Sequence, residues 1–104
     1  MCLLVILHKL VPDYPLVVAA NRDEDPARGG DAPFRWADGM VAPRDPKAGG
    51  TWIGINPHGV FSAVTNRAGP AVTGSQVNSR GTLPLEALKE NEIQKPQKNR
   101  ECYR

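Results

Sequence analysis

The sequence predicts an α+β domain in which short strands outnumber helices, and three observations carry that reading. Two continuous apolar runs, Cys2-Leu3-Leu4-Val5-Ile6-Leu7 and Leu16-Val17-Val18-Ala19-Ala20, contain β-branched residues and are too short for helices. Thr51-Trp52-Ile53-Gly54-Ile55 and Val60-Phe61-Ser62-Ala63-Val64-Thr65 flank the turn tetrapeptide Asn56-Pro57-His58-Gly59. One stretch near the end, residues 82–89, has a helix-opening pattern.

In chain order, the first run lacks the apolar/polar alternation of a strand with one wet face, so it asks for cover on both faces. Val11-Pro12-Asp13-Tyr14-Pro15 breaks it, because two prolines and an Asp suit a connecting turn. With the second run it is expected to form a buried hairpin, or two neighbouring strands, in a core sheet. The second run ends in Asn21-Arg22-Asp23-Glu24-Asp25. Residues 26–33 then carry Gly29, Gly30 and Asp31, which is loop chemistry. Phe34 and Trp36 are placed to pin this loop to the domain. Met40-Val41-Ala42 reads as a short strand and residues 43–50 as turns. Asn first, Pro second and Gly fourth in residues 56–59 are type I turn preferences, which makes residues 51–65 the clearest hairpin. Alternation along its second strand separates Val60, Ser62 and Val64 from Phe61, Ala63 and Thr65. Residues 68–80 read as loop. Thr82 is expected to cap the helix, with Pro84 in its first turn. Residues 91–104 hold one aliphatic side chain, Ile93, among polar ones, and read as a tail that buries little surface.

Composition narrows the function classes. A length of 104 residues leaves room for one small domain, and 40% apolar with 23% charged residues argues against wholesale disorder. A formal charge of +2, from scattered basic residues, gives no footprint for nucleic acid. Cys2 and Cys102 lie at opposite ends, which is neither a disulfide framework nor a zinc spacing, and fits a reducing compartment. The first apolar run is too short to span a membrane and lacks the flanks of a signal peptide. The expectation is a cytoplasmic protein with no membrane span and no cofactor.

Cys2 is the first candidate for chemistry. Removal of Met1 leaves an α-amine and a thiol on one residue, so nucleophile and general base can be combined there. The plain alternative is a small apolar residue opening a buried strand. Asn21-Arg22-Asp23-Glu24 comes next, because polar residues at the end of a buried strand stand where sheets usually meet their sites. Arg22 can hold a thiolate by charge, and Asp23 can hydrogen-bond the α-ammonium, if the two apolar runs pair side by side. The alternative is a solvated turn. Asn66, ending the second hairpin strand, can donate to an oxyanion or simply start a turn. His8 and His58 are isolated, and Gly49-Gly50 lacks the frame of a phosphate loop.

Met1-Cys2, Tyr14 through Glu24, Ala48-Gly49-Gly50-Thr51-Trp52-Ile53-Gly54 and Thr65-Asn66-Arg67 together closely resemble the NRDE-motif family, also called the transport and Golgi organisation family. The resemblance covers residues 1–88, including Ser79-Arg80-Gly81 ahead of the helix. It implies a four-layer αββα fold like that of N-terminal-nucleophile hydrolases, of which this chain holds the N-terminal part, followed by an unrelated or disordered tail at residues 89–104. The same stretch is similar to cholylglycine hydrolases and penicillin V acylases. Those enzymes begin with Met-Cys, carry an Arg and an Asp at the end of the next strand, and have a G-x-N-x-x-G hairpin that leads to an oxyanion-hole Asn. The matching positions are Cys2, Arg22, the hairpin Gly54 to Gly59, and Asn66. The hydrolase spacing selects Asp25 as the aspartate, while the family motif offers Asp23, which is favoured.

Two functions follow from the resemblance. One is an amidohydrolase that cleaves a small-molecule amide through an acyl-Cys2 intermediate. The other is a non-catalytic protein that binds or traffics haem or lipid. Five strands with one helix also leave an apolar sheet face uncovered, so little activity, marginal stability and association into a homo-oligomer are expected of the chain as it stands.

Overall fold

A computed structural model describes residues 2–66 and 79–91. Strands β1 (Leu3–Val11) and β2 (Tyr14–Asn21) are followed by a 3-10 turn at Pro26–Arg28. Four short strands come next: β3 (Phe34–Arg35), β4 (Val41–Ala42), β5 (Ile53–Ile55) and β6 (Phe61–Ala63). Helix α1 spans Thr82–Lys89. The architecture is mixed α+β, with antiparallel sheets and one α-helix among the described residues.

The two apolar runs do pair. β1 and β2 form an antiparallel ribbon in which Leu3 faces Asn21, Val5 faces Ala19 and Leu7 faces Val17. Pro12 and Asp13 make the turn, and Asp13 takes a left-handed φ of 65°, a conformation that Asp tolerates better than most residues. The register shifts between His8 and Val11, where Lys9 adopts φ 56°. An irregularity there breaks the alternation of the strand before it reaches the turn.

The remaining strands form a second sheet, ordered β3-β4-β5-β6 and antiparallel throughout. Val41, Ile55 and Phe61 align across it by register. Helix α1 packs on β5 and β6 and buries Pro84 and Leu88. Gly54 allows that approach, because a Cβ there would stand 2.7 Å from Leu88 Cδ1 and 2.9 Å from Ala42 Cβ. Met40, Ala42, Val60 and Leu88 form the apolar core. Trp36 ties the edge strand down: its indole N–H donates to the Ala42 carbonyl at 3.0 Å, and its ring stacks on Phe34 at 5.3 Å.

Asn56 holds sheet and helix together. It is 6% exposed and uses both ends of its amide. Oδ1 accepts from the backbone N–H groups of His58 and Val60, which fixes the β5–β6 turn. Nδ2 donates to the carbonyls of Leu88 (3.0 Å) and Glu90 (2.8 Å), satisfying acceptors that the end of α1 leaves open. A second tie joins the start of the helix to β5. Thr51 N–H donates to the Gly81 carbonyl at 3.1 Å. A Cβ on Gly50 would fall 2.6 Å from Gly81 backbone atoms, so the two chains cross in contact.

Several expectations change. The first hairpin is not buried: Leu3 is 61%, Ile6 49% and Leu10 73% exposed. It also forms its own two-stranded sheet instead of joining the other strands. An unbroken apolar run states that a strand wants cover, and leaves open what supplies it. The described residues hold six strands where five were expected of the chain, because Phe34 and Arg35 pair with β4 instead of lying in the loop. Thr82 is not the helix cap. Gly81 occupies that position without a side-chain bond, and the Thr82 hydroxyl donates back to the Ser79 carbonyl at 2.7 Å. Most of the loop expected at residues 68–80 lies outside the described residues, as does the tail from residue 92.

Asn56→Ala is expected to destabilise the domain by about 2 kcal/mol, through lost hydrogen bonds and unsatisfied carbonyls. Asn56→Asp, which keeps the turn acceptor but sets a carboxylate oxygen against the Leu88 and Glu90 carbonyls, should recover none of that at neutral pH. Urea midpoints of the three proteins measure the difference; identical midpoints for wild type and Asn56→Ala would show that the amide ties nothing together.

Candidate functional site

The register of the ribbon brings Cys2 to the Asn21-Arg22-Asp23-Glu24 segment. Leu3 N–H donates to Asn21 Oδ1 at 2.7 Å, closing the open end of the hairpin. One residue earlier, the half-buried Cys2 thiol meets the backbone of Asp23. Sγ accepts from the Asp23 N–H at 3.4 Å and donates to the Asp23 carbonyl at 3.7 Å. The contact uses the Asp23 main chain. Asp25, the other aspartate weighed from the sequence, takes a local role: its carboxylate accepts from Ala27 N–H at 2.9 Å and caps the 3-10 turn.

Arg22 points away from this contact. Nη1 donates to the Gly29 carbonyl at 2.7 Å, Nη2 lies 3.8 Å from Glu24 Oε2, and the guanidinium covers the Trp52 ring at 4.4 Å from its centroid. Gly30 completes the clamp, since a Cβ there would approach Trp52 to 3.1 Å and Arg22 Nη1 to 3.3 Å. Arg22, Glu24 and Trp52 open onto a cleft of about 90 Å³. Asn66 and Arg22 both line it, together with Arg28, Asp45, Ser79 and Arg80. Cys2 and Asp23 are not among its lining residues. The structure thus makes two pairings of the four sequence candidates: Cys2 with Asp23, and Arg22 with Asn66.

The strongest electrostatic element of the cleft was not visible in the sequence. Arg28 binds Asp45 through Nη2 at 2.7 Å and Nε at 3.1 Å. Asp45 is 8% exposed, and its Oδ1 also accepts from the N–H groups of Lys47 (2.9 Å) and Ala48 (3.2 Å). Burial works against its charge but is outweighed by the Arg28 hydrogen bond, the two backbone donors and the guanidinium charge, so its pKa is lowered. The Arg28 pKa is raised, first by the hydrogen bond to Asp45 and then by its charge. The turn signal of Asp45-Pro46-Lys47 was readable, but nothing in the spacing joins Asp45 to a residue seventeen positions earlier. Among the described residues, no three His, Cys, Asp or Glu side chains could hold a metal ion, and no helix is long and apolar enough to cross a membrane.

The lowered Asp45 pKa sets the sign of a pH effect. The stability it contributes is complete above the ordinary value of 3.8 and is lost as pH falls through the lower folded value. Asp45→Asn should be less stable than wild type at pH 7 by about 2 kcal/mol. It should also lose less stability on acidification below about pH 4. Thermal melts from pH 2.5 to 7 check both, and parallel acid limbs would count against the assignment.

Neither the curated proteins nor the solved structures give a match to this chain. A family model does: that of Transport and Golgi organisation 2 matches residues 1–103 and so runs past the boundary that the resemblance set at residue 88. With nearly the whole sequence matched, and with the Cys2 and Asn21-Arg22-Asp23-Glu24 segments side by side, the chain belongs to the Transport and Golgi organisation 2 family.

Proposed function

We propose that Cys2 is the nucleophile of an amidohydrolase, active once Met1 has been removed. One observation carries the reading. The Cys2 thiol lies against the Asp23 N–H at 3.4 Å, where a backbone donor is aimed at sulfur and can hydrogen-bond a thiolate. The thiolate attacks the substrate carbonyl carbon, and the C–N bond breaks as the Cys2 ammonium gives its proton to the leaving amine. Water then attacks the thioester, releasing the acid and restoring the thiol. Arg22 and Asn66, which line the neighbouring cleft and not the thiol contact, are assigned to holding the substrate, Arg22 as a fixed positive charge and Asn66 as an amide donor. The layering supports kinship with N-terminal-nucleophile hydrolases: α1 covers one face of the four-stranded sheet, and residues of β2 border a groove on that sheet.

That groove favours a second reading, a lipid-binding protein. It encloses about 520 Å³, lined by Leu16 and Val18 of β2 facing Val41, Ile53, Ile55 and Phe61 of the sheet, within the roughly 300–1,000 Å³ of small-molecule sites. An acyl chain suits this lining. A haem finds no axial ligand among the described residues, since no His, Cys, Met or Tyr of these lines the groove.

Intact mass spectrometry should show a chain beginning at Cys2 that gains one acyl group from an activated ester, on Cys2 and not on Cys102. Cys2→Ala should lower amide turnover by a factor on the order of 10³ or more. Turnover by protein that retains Met1, or equal labelling of the two cysteines, would rule the mechanism out. Binding of a fluorescent fatty acid that survives Cys2→Ala, in protein without turnover, would support the lipid reading instead.

A further inference from the structure

Among the described residues, the cleft beside Trp52 contains a cation with no counter-ion. Arg22, Arg28 and Arg80 line it, against the two carboxylates Glu24 and Asp45, which leaves one positive charge in excess among the described lining residues. Asp45 is committed to Arg28 and to two backbone donors. One oxygen of Glu24 accepts from the Asp25 N–H, and the other lies 3.8 Å from Arg22 and 4.0 Å from Arg28. Arg80 is half-buried; its carbonyl accepts from Leu83 N–H at 3.2 Å, and its guanidinium makes no hydrogen bond or ion pair with any described residue. It stands just before Gly81, the residue that caps α1 and meets the Gly50 backbone ahead of β5, so its backbone is held.

We propose that this cleft is a carboxylate subsite, with Arg80 as the residue that grips a monoanionic ligand and Trp52 as its wall. Charge selects the class, since one excess positive charge balances a carboxylate and falls short of a phosphate dianion. Size agrees with it: about 90 Å³ holds on the order of six waters, enough for a carboxylate with a short stem and too little for a nucleotide. Guanidinium is suited to the role, because its fork matches the two carboxylate oxygens. The subsite deepens the hydrolase reading by naming its substrate class, an amide that also carries a carboxylate. It rests on that reading only for what the carboxylate is attached to. Arg22 joins the two places, its side chain in the cleft and its peptide bond leading to the Asp23 N–H that meets Cys2.

The sequence has two tryptophans, so the indole N–H signals of the full-length protein can be assigned with Trp36→Phe and followed by NMR during titration with propionate. The Trp52 signal should move saturably while the Trp36 signal, fixed by its bond to Ala42, stays in place and reports that the fold is intact. Arg80→Gln should weaken propionate by about tenfold or more, the loss expected for a charge-assisted pair, and Arg80→Lys should recover part of it. Cys2→Ala should bind propionate as wild type does. Binding without any acyl-Cys2 would therefore sink the nucleophile and leave the subsite standing. No saturable movement of Trp52, or equal affinity in Arg80→Gln, would overturn the subsite. Inorganic phosphate binding more tightly than propionate would overturn the carboxylate assignment.

Discussion

The pairing of β1 with β2 in one register, Leu3 opposite Asn21, decides where every candidate residue of the first hairpin stands. Side chains alternate along a strand with a period of two, so a slip of one residue would turn Cys2 from Asp23 to the opposite face. The register is held at both ends. Pro12 and Asp13 close it at the turn, and the Asn21 side chain accepts from Leu3 N–H at the open end. Asn21 therefore serves a structural purpose inside a segment that reads, residue by residue, as a string of candidate catalytic groups.

The segment from Asn21 to Asp25 divides its labour in a way its composition does not announce. Asn21 locks the hairpin, Arg22 enters the cleft, Asp23 offers its main chain to sulfur, and Asp25 caps the turn that follows. Glu24 lies between Arg22 and Arg28, bridging the hairpin end to the charged pair that anchors Asp45. The nucleophile candidate and the cleft are thus adjacent through backbone and separate in their side chains. A ligand that uses both must reach across the Arg22–Asp23 peptide.

Local chemistry was legible in the sequence wherever it was self-contained. The hairpin around Asn56-Pro57-His58-Gly59 formed as its turn residues dictate, and Gly59 takes a φ of 82°. The helix spans Thr82–Lys89, with Pro84 buried in its first turn. The approach of Cys2 to Asp23 followed from pairing the two apolar runs. Long-range partnerships were not legible. Arg28 with Asp45, Asn56 with Leu88 and Glu90, and Arg22 over Trp52 join residues that no periodicity connects. The exposure of β1 was misread for a related reason: apolarity reports a tendency to be covered, while cover itself is a property of the assembled chain.

The contact between Gly50 and Gly81 has a consequence for selectivity. Gly50 precedes Thr51 and Gly81 follows Arg80, both of which line the cleft, and at this crossing main chain touches main chain with no side chain between. A wall made of side chains can widen when a rotamer flips. Two peptide backbones in contact have no such freedom, and moving one means moving a strand or a helix. The stretch of the cleft wall at Gly81 is therefore fixed in width, and a ligand of the proposed subsite would have to fit it as it stands.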